Sequence, residues 1–292
     1  MASPDRTHLA YDQAITKVSF SVLAEVFTIL GAYRDALVLV GGWVPYFLLK
    51  RHQRADDLFQ HVGSIDIDLA VDGSKVDSAQ YATMERLLRE RQYDVALDIK
   101  GKPIPNCYER RVQLPVGGES VGLRVDFLTP PASGKSDGHR HVEIQDGFLA
   151  RKAKGCEAAF RFMTNVEIAA TLPEGGQVKV NAQMADLAGC VTMKDIVLGE
   201  RFKEKDAYDV YALAAHVEGG PKNLAEVVKP HRNDSLVKEA LVSIGKVFDA
   251  REANGPAWVA AFLQPASPIE RERLITDAFM VVQEFCRLVE EG

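Results

Sequence analysis

Three acidic side chains and one glycine pair carry the chemistry open to this sequence. In SIDIDLAVD, residues 64–72, Asp66 and Asp68 alternate with Ile65, Ile67 and Leu69. Such alternation predicts a strand, and residues two apart on a strand project to the same side. Two carboxylates about 7 Å apart along a strand repel each other unless a cation lies between them. Mg²⁺ suits that arrangement, being hard, oxygen-preferring and accustomed to phosphate oxygens as further ligands. In SVGLRVDFLTP, residues 120–130, Asp126 alternates with Leu123, Val125 and Phe127. If this strand pairs beside the first, three carboxylates converge, as in two-metal phosphoryl chemistry. Gly41-Gly42 closes the apolar run ALVLVGG, 36–42, just ahead of WVPYFLLKR. A strand that turns into a helix through glycine lets backbone N–H groups approach an anion closely. Triphosphate oxygens are the natural guest there.

The elements that must position these residues follow from periodicity. Apolar positions recur at three- and four-residue spacing over 14–32, which predicts a helix. A short buried strand over 36–42 leads into a helix from Trp43, with Pro45 tolerated in its first turn. Residues 51–63 are polar and are expected to form a loop. The strand carrying the aspartates is followed by an amphipathic helix over 75–92. Strands are then expected at 93–100, 107–116 and 120–130, a Gly/Ser/Lys-rich loop at 132–138, and short strands near 141–145, 166–171 and 177–181. From about residue 182 the pattern turns helical, with segments at 183–200, 205–217, 235–250 and 269–291. Strand-rich first and helical second implies an α+β fold: a mixed β-sheet domain with flanking helices over 1–181, then a helical domain over 182–292.

Composition sets outer limits. The 292 residues are 47% hydrophobic and 26% charged, ordinary for a packed protein. No apolar run approaches the ~20 residues a membrane span needs, and the N-terminus lacks a basic-then-apolar signal pattern. A cytoplasmic protein with no membrane partner is the expectation. Cys107, Cys156, Cys190 and Cys286 are far apart and read as free thiols. His139 and His141 lie two apart, with no thiol or carboxylate cluster beside them in metal-ligand spacing. A net charge of −6 argues against a protein that coats nucleic acid non-specifically. Locally, Lys100, Lys102, Arg110, Arg111 and Arg124 outnumber Glu109 and Glu119, which leaves room for a basic cleft.

The Gly-Gly turn, the Asp-x-Asp strand and the later single aspartate together resemble the nucleotidyltransferase superfamily related to DNA polymerase β. Within it the chain is most similar to AbiEii/AbiGii-type nucleotidyltransferases, which include type IV toxin–antitoxin toxins. The approach HVGSIDIDL and the helical stretch MKDIVLGERFKEKDAYDVYAL extend the resemblance over roughly residues 35–216. It implies that Gly41 and Gly42 cradle phosphate, with Ser64 beside the acidic strand. It implies Asp66, Asp68 and Asp126 as metal ligands, Asp126 also as the base. Lys194, with Asp206 and Asp209, falls on helical motifs expected near the nucleotide; lysine offers a positive point charge, and aspartates three apart share a helix face. The stretch from Gly42 to Asp66 is longer than usual in that family, with 50–62 as the extra loop. Trp43 departs too, since Gly-Gly-Trp turns also occur in antibiotic nucleotidyltransferases.

The function this implies is Mg²⁺-dependent transfer of a nucleoside monophosphate from a nucleoside triphosphate to an acceptor, a tRNA end being favoured. A toxin with a cognate antitoxin as partner is the implied setting. Two alternatives stand beside it. One is a small-molecule, antibiotic-type nucleotidyltransferase. The other is a catalytically silent nucleotide-binding or antitoxin-like module.

Overall fold

The computed structural model describes residues 7–76, 82–115, 118–131, 138–200 and 203–291. The fold is α+β, with a mixed sheet, flanking helices and a C-terminal helical region. The chain divides into two compact units. One comprises Gln13–Trp43 and Ser64–Ala185; the other comprises Met1–Asp12, Val44–Gly63 and Asp186–Gly292. The expected boundary at 181/182 thus stands beside an observed division at 185/186, with two N-terminal segments grouped with the C-terminal helices.

The first unit holds the strands. Helix α1 (Gln13–Ile29) buries Val18, Val22, Leu23, Val26 and Phe27, the spacing of one helical face. The predicted helix over 14–32 stops at Ile29, and a 3₁₀ segment, Gly31–Ala36, follows Leu30. Strand β1 (Leu37–Val40) is buried at all four positions, as a central strand must be. Helix α2 (Trp43–His52) starts after the Gly41-Gly42 turn. Strand β2 is Ile67–Val71, so Asp66 sits in the bend before the strand and not on it. The burial alternation still extends back through that bend, with Ile65, Ile67 and Leu69 buried and Asp66 and Asp68 half-buried.

Helix α3 is Met84–Arg89, capped by the Thr83 hydroxyl, so the helix expected over 75–92 is much shorter. Residues 77–81 of that prediction, and 132–137 of the predicted loop, lie outside the described residues. Next come β3 (Tyr93–Leu97), β4 (Pro103–Gln113), β5 (Ser120–Thr129), β6 (His141–Gln145) and β7 (Phe148–Lys152). Helix α4 (Cys156–Arg161), β8 (Met163–Thr171) and β9 (Gln177–Ala185) complete the unit. Residues 183–185, predicted as helix, continue β9 and pair with Met163–Asn165 of β8.

The sheet order is β3-β4-β5-β2-β1-β9-β8, with β7 joined to β5 and β6 to β7. β1 runs antiparallel to β2 and parallel to β9, and β2 runs parallel to β5. Below β5, Tyr108, Phe127 and Phe148 form an aromatic cluster with ring centroids 4.7 to 5.9 Å apart. The second unit packs α5 (Leu187–Glu200), α6 (Glu204–His216), α7 (Gly220–Val228), α8 (Ser235–Val247), α9 (Asn254–Leu263) and α10 (Pro268–Glu290). Helix α10 opens on a capping box, with Ser267 and Glu270 bonding each other's backbone N–H. Helices α7 and α9 went unpredicted because each opens on Gly-Pro, which reads as a turn.

The fold also settles one charge. Arg110, counted in the sequence as part of a basic surface, is buried. Its guanidinium donates to Gln92 at 2.9 Å and Glu174 at 2.7 Å and lies 3.5 Å from the Glu25 carboxylate. Glu25, itself buried, accepts from the Tyr93 hydroxyl at 2.7 Å. Arg111, by contrast, is 76% exposed. Removing one partner of a buried pair strands the other charge. Arg110→Ala is therefore expected to destabilise by about 3 kcal/mol, and Arg111→Ala by under about 0.5 kcal/mol, in urea unfolding. Equal effects would return Arg110 to the surface.

Candidate active site

Strand register brings the predicted carboxylates together. Asp68 on β2 is paired directly with Asp126 on β5 in the parallel ladder. On the other side of Asp68 stands Val40, the last residue of β1, and on the other side of Asp126 stands Cys107 of β4. The row Val40, Asp68, Asp126, Cys107 thus crosses four neighbouring strands. Adjacent strands lie about 4.8 Å apart, so the two aspartates begin from neighbouring α-carbons. Asp66, one residue before β2, acts electrostatically on Asp126 as Asp68 does.

The glycine turn is fitted to one of these side chains. Gly41 follows Val40 with φ +72, a left-handed conformation that glycine adopts freely. A β-carbon at Gly41 would fall 2.0 Å from the Asp68 carboxylate oxygen. Gly41 is therefore required twice, by its backbone angle and by the space Asp68 occupies. The left-handed angle of the pair falls on Gly41, its first residue. Trp43, bulky beside the turn, is buried against Phe20 with ring centroids 5.3 Å apart. Its indole N–H donates to the Ser19 hydroxyl at 3.3 Å, and that hydroxyl donates to the Ile65 carbonyl at 2.8 Å. Ser19 of α1 thereby ties the residue after the glycines to the residue before Asp66. Ser64 donates its hydroxyl to the Asp66 carbonyl at 2.8 Å, shaping the bend that presents Asp66.

Burial, then Asp68 and Asp66, push the Asp126 carboxyl up to about 7. Arg151, on β7, opposes this from a distance. Asn106 donates its amide to Asp126 at 3.1 Å, and His141 Nε2 lies 3.2 Å from the Asn106 carbonyl oxygen. The Cys107 thiol also hydrogen-bonds Asp126; burial first, then the Asp126 charge, raises its pKa. Sequence reasoning missed Asn106, Cys107 and Arg151. Nothing in PIPNCYERR marks Asn106, because its role depends on where β4 leaves β5. Among the described residues, no group of three or more His, Cys, Asp or Glu side chains forms a preformed metal cage.

The remaining site candidates form a second cluster, within the helical unit. Lys194 of α5 donates to Asp206 and Asp209 of α6, each at 2.6 Å. Lys205 reaches Asp209 at 2.5 Å, and His61 Nε2 lies 2.9 Å from Asp209. All five side chains are buried. Burial alone would raise Asp209, but Lys194, Lys205 and His61 outweigh it and hold its carboxyl far below the usual range. Burial would lower Lys194, yet Asp206 and Asp209 keep it firmly charged. His61 Nδ1 accepts from the Gly63 N–H at 3.1 Å, which leaves Nε2–H to donate to Asp209. His61 also stacks on Tyr208, with ring centroids 5.2 Å apart. Asp66, Asp68, Asp126, Gly41, Gly42 and Ser64 belong to one unit, and Lys194, Asp206 and Asp209 to the other.

No family model matches the chain, and no curated protein matches it. Two solved structures are similar to it. JHP933 from Helicobacter pylori has 15% identity and a TM-score of 0.42, over 96% of this chain and 95% of that one. An antigenic nucleotidyltransferase-like protein from Paracoccidioides brasiliensis has 14% identity and a TM-score of 0.43, over 82% of this chain and 89% of that one. Likeness at this level decides nothing about the chain's activity.

Two expectations follow. Gly41→Ala should destabilise by about 2 kcal/mol or more, from the left-handed angle and the clash with Asp68 together. In an Asp68→Ala background the 2.0 Å contact with the carboxylate oxygen is lost, although the β-carbon of residue 68 would still lie 2.8 Å away, so the same change should cost less, by about 1 kcal/mol. A double-mutant cycle in denaturant measures the difference, and additivity within about 0.5 kcal/mol would show that the two residues do not compete for space. The second expectation concerns acid. Burial first, then Lys205, lowers the His61 pKa to about 4. At His61 the folded state thus binds fewer protons than the unfolded state between about pH 6.5 and 4, so the contribution of this residue to stability falls as pH falls through that window. His61→Gln removes the titration, and its stability should decline less steeply there, by up to about 1.4 kcal/mol per pH unit. Parallel slopes would mean that His61 titrates normally.

Proposed function

We propose that this chain is a nucleotidyltransferase that moves a nucleoside monophosphate from a nucleoside triphosphate to an acceptor hydroxyl, releasing pyrophosphate. The observation that carries the reading is Asp68 paired in register with Asp126, with the left-handed Gly41 turn folded against the Asp68 carboxylate. The donor set fits Mg²⁺: hard carboxylate oxygens, with Asp126 raised to about 7 by burial first and then by Asp68 and Asp66. Mg²⁺ does not demand an all-protein cage, since one or two carboxylates plus phosphate oxygens and water complete its shell. Asp66, Asp68 and Asp126 would hold it. When bound, it supplies charge neutralisation on the triphosphate.

The chain's own residues do the rest. The turn at Gly41-Gly42 offers backbone N–H groups to phosphate oxygens. Asp126, poised near neutrality, takes the proton as the acceptor O–H bond breaks and its oxygen bonds the α-phosphorus. The bridging bond to the β-phosphate then breaks, and its electrons leave with pyrophosphate. An RNA end, such as that of a tRNA, is the acceptor proposed. Lys100 and Lys102 are exposed in the turn before β4, on the side of Cys107 where β4 is no longer paired with β5. Arg111, paired with Gly122, lies four residues from Cys107 in the other direction, about 13 Å along the strand.

The deciding experiment incubates each labelled triphosphate, with and without Mg²⁺, with total RNA, protein or an aminoglycoside. Label should transfer to RNA only with Mg²⁺. Asp68→Ala and Asp126→Asn should each lower the rate about 10²–10³-fold or more. Charge reversal at Lys100 and Lys102 should flatten the salt dependence. Undiminished transfer by both aspartate variants would end the proposal, and label on the aminoglycoside would redirect it to a small-molecule acceptor.

A further inference from the structure

Asp126 lies at a seam in the sheet. On one edge of β5, pairing with β4 covers Ser120 to Asp126 and ends at Cys107↔Asp126. Pairing with β7 then begins at Leu128. On that edge the strand therefore changes neighbours at Asp126, from antiparallel β4 to parallel β7, while the β2 ladder runs unbroken along the other edge from Val125 to Leu128. Two side chains span this gap. Asn106, the residue of β4 just beyond the last pair with β5, is buried and donates to Asp126 at 3.1 Å. His141 of β6, paired with Arg151 of β7, lies 3.2 Å from the Asn106 carbonyl oxygen.

The structure turns the Asn106 Nδ2–H₂ toward Asp126 and its carbonyl oxygen toward His141. An amide oxygen only accepts. The His141 Nε2 must then carry a proton and donate. Each link removes a rotational choice from the next: His141 fixes which way the Asn106 amide points, and the amide fixes one oxygen of Asp126. Partners behind a ligating carboxylate act in this way on affinity and reactivity.

We infer that Asn106 is a positioning residue for Asp126 and that His141 holds Asn106 in the orientation this requires. The inference rests on the nucleotidyltransferase reading for its consequence and on the hydrogen-bond chain for its existence, so the test reads the two separately. In metal-free protein, the Asn106 side-chain amide protons are followed by NMR. They should be protected from exchange in the wild type. Asp126→Ala and His141→Phe should each abolish that protection, while His141→Gln, which keeps an N–H donor, should retain it. Mn²⁺ binding is then measured by electron paramagnetic resonance. Asn106→Leu and His141→Phe should weaken it about tenfold, with His141→Gln close to wild type and urea midpoints as the folding control. His141 is half-buried, so its variants remain informative if Asn106→Leu fails to fold. Unchanged amide protection in both Asp126→Ala and His141→Phe would overturn the inference. So would wild-type Mn²⁺ affinity in His141→Phe. If the wild type binds no Mn²⁺ and transfers no nucleotide while the amide coupling holds, the functional reading fails and the positioning chain stands.

Discussion

Asp68 and Asp126 occupy paired positions on neighbouring parallel strands, and much of the first unit is arranged around that juxtaposition. Two full charges about 5 Å apart at an effective dielectric near 20 repel by about 3 kcal/mol. Burial sharpens the conflict, and Asp126 answers by holding its proton to about 7. The neighbours accommodate the pair. Gly41 gives up a side chain so that the Asp68 carboxylate has room. Asn106 contributes a neutral donor to Asp126. Ser19 and Ser64 fix the backbone on either side of Asp66 through its neighbours' and its own carbonyl. A cation shared by the carboxylates would relieve the repulsion at its source.

What the sequence made legible was whatever depends on period and on residue type. The alternation of Ile65, Ile67 and Leu69 with Asp66 and Asp68 gave their burial correctly, although the ladder begins only at Ile67. The placement of Asp126 beside Asp68 was conditional on a parallel pairing that the pattern alone could not supply; it is present. Features that rest on long-range register were not legible. Asn106 matters because it stands one residue outside the ladder that pairs β4 with β5, and no local pattern records that. Arg110 looked like surface charge by composition, yet Glu25, eighty-five positions earlier in the chain, draws it into the core. Helices α7 and α9 were hidden by their own Gly-Pro openings, which mark first turns as readily as loops.

The two buried charge clusters separate on one physical criterion. In the helical unit, Lys194 and Lys205 stand against Asp206 and Asp209, with His61 neutral at ordinary pH and donating to Asp209. Two positive and two negative charges balance within one set of short contacts. Such a set holds α5, α6 and the segment around His61 together, and removing any of its four charged members would leave a buried charge uncompensated. The sheet cluster is built differently. Asp126 is met by the neutral Asn106 amide, Arg151 lowers its pKa, and burial first, then Asp68 and Asp66, raise it. The helical cluster closes its charge through short contacts between lysines and aspartates. The sheet carboxylates owe their proximity to strand register, with a glycine leaving room for one of them.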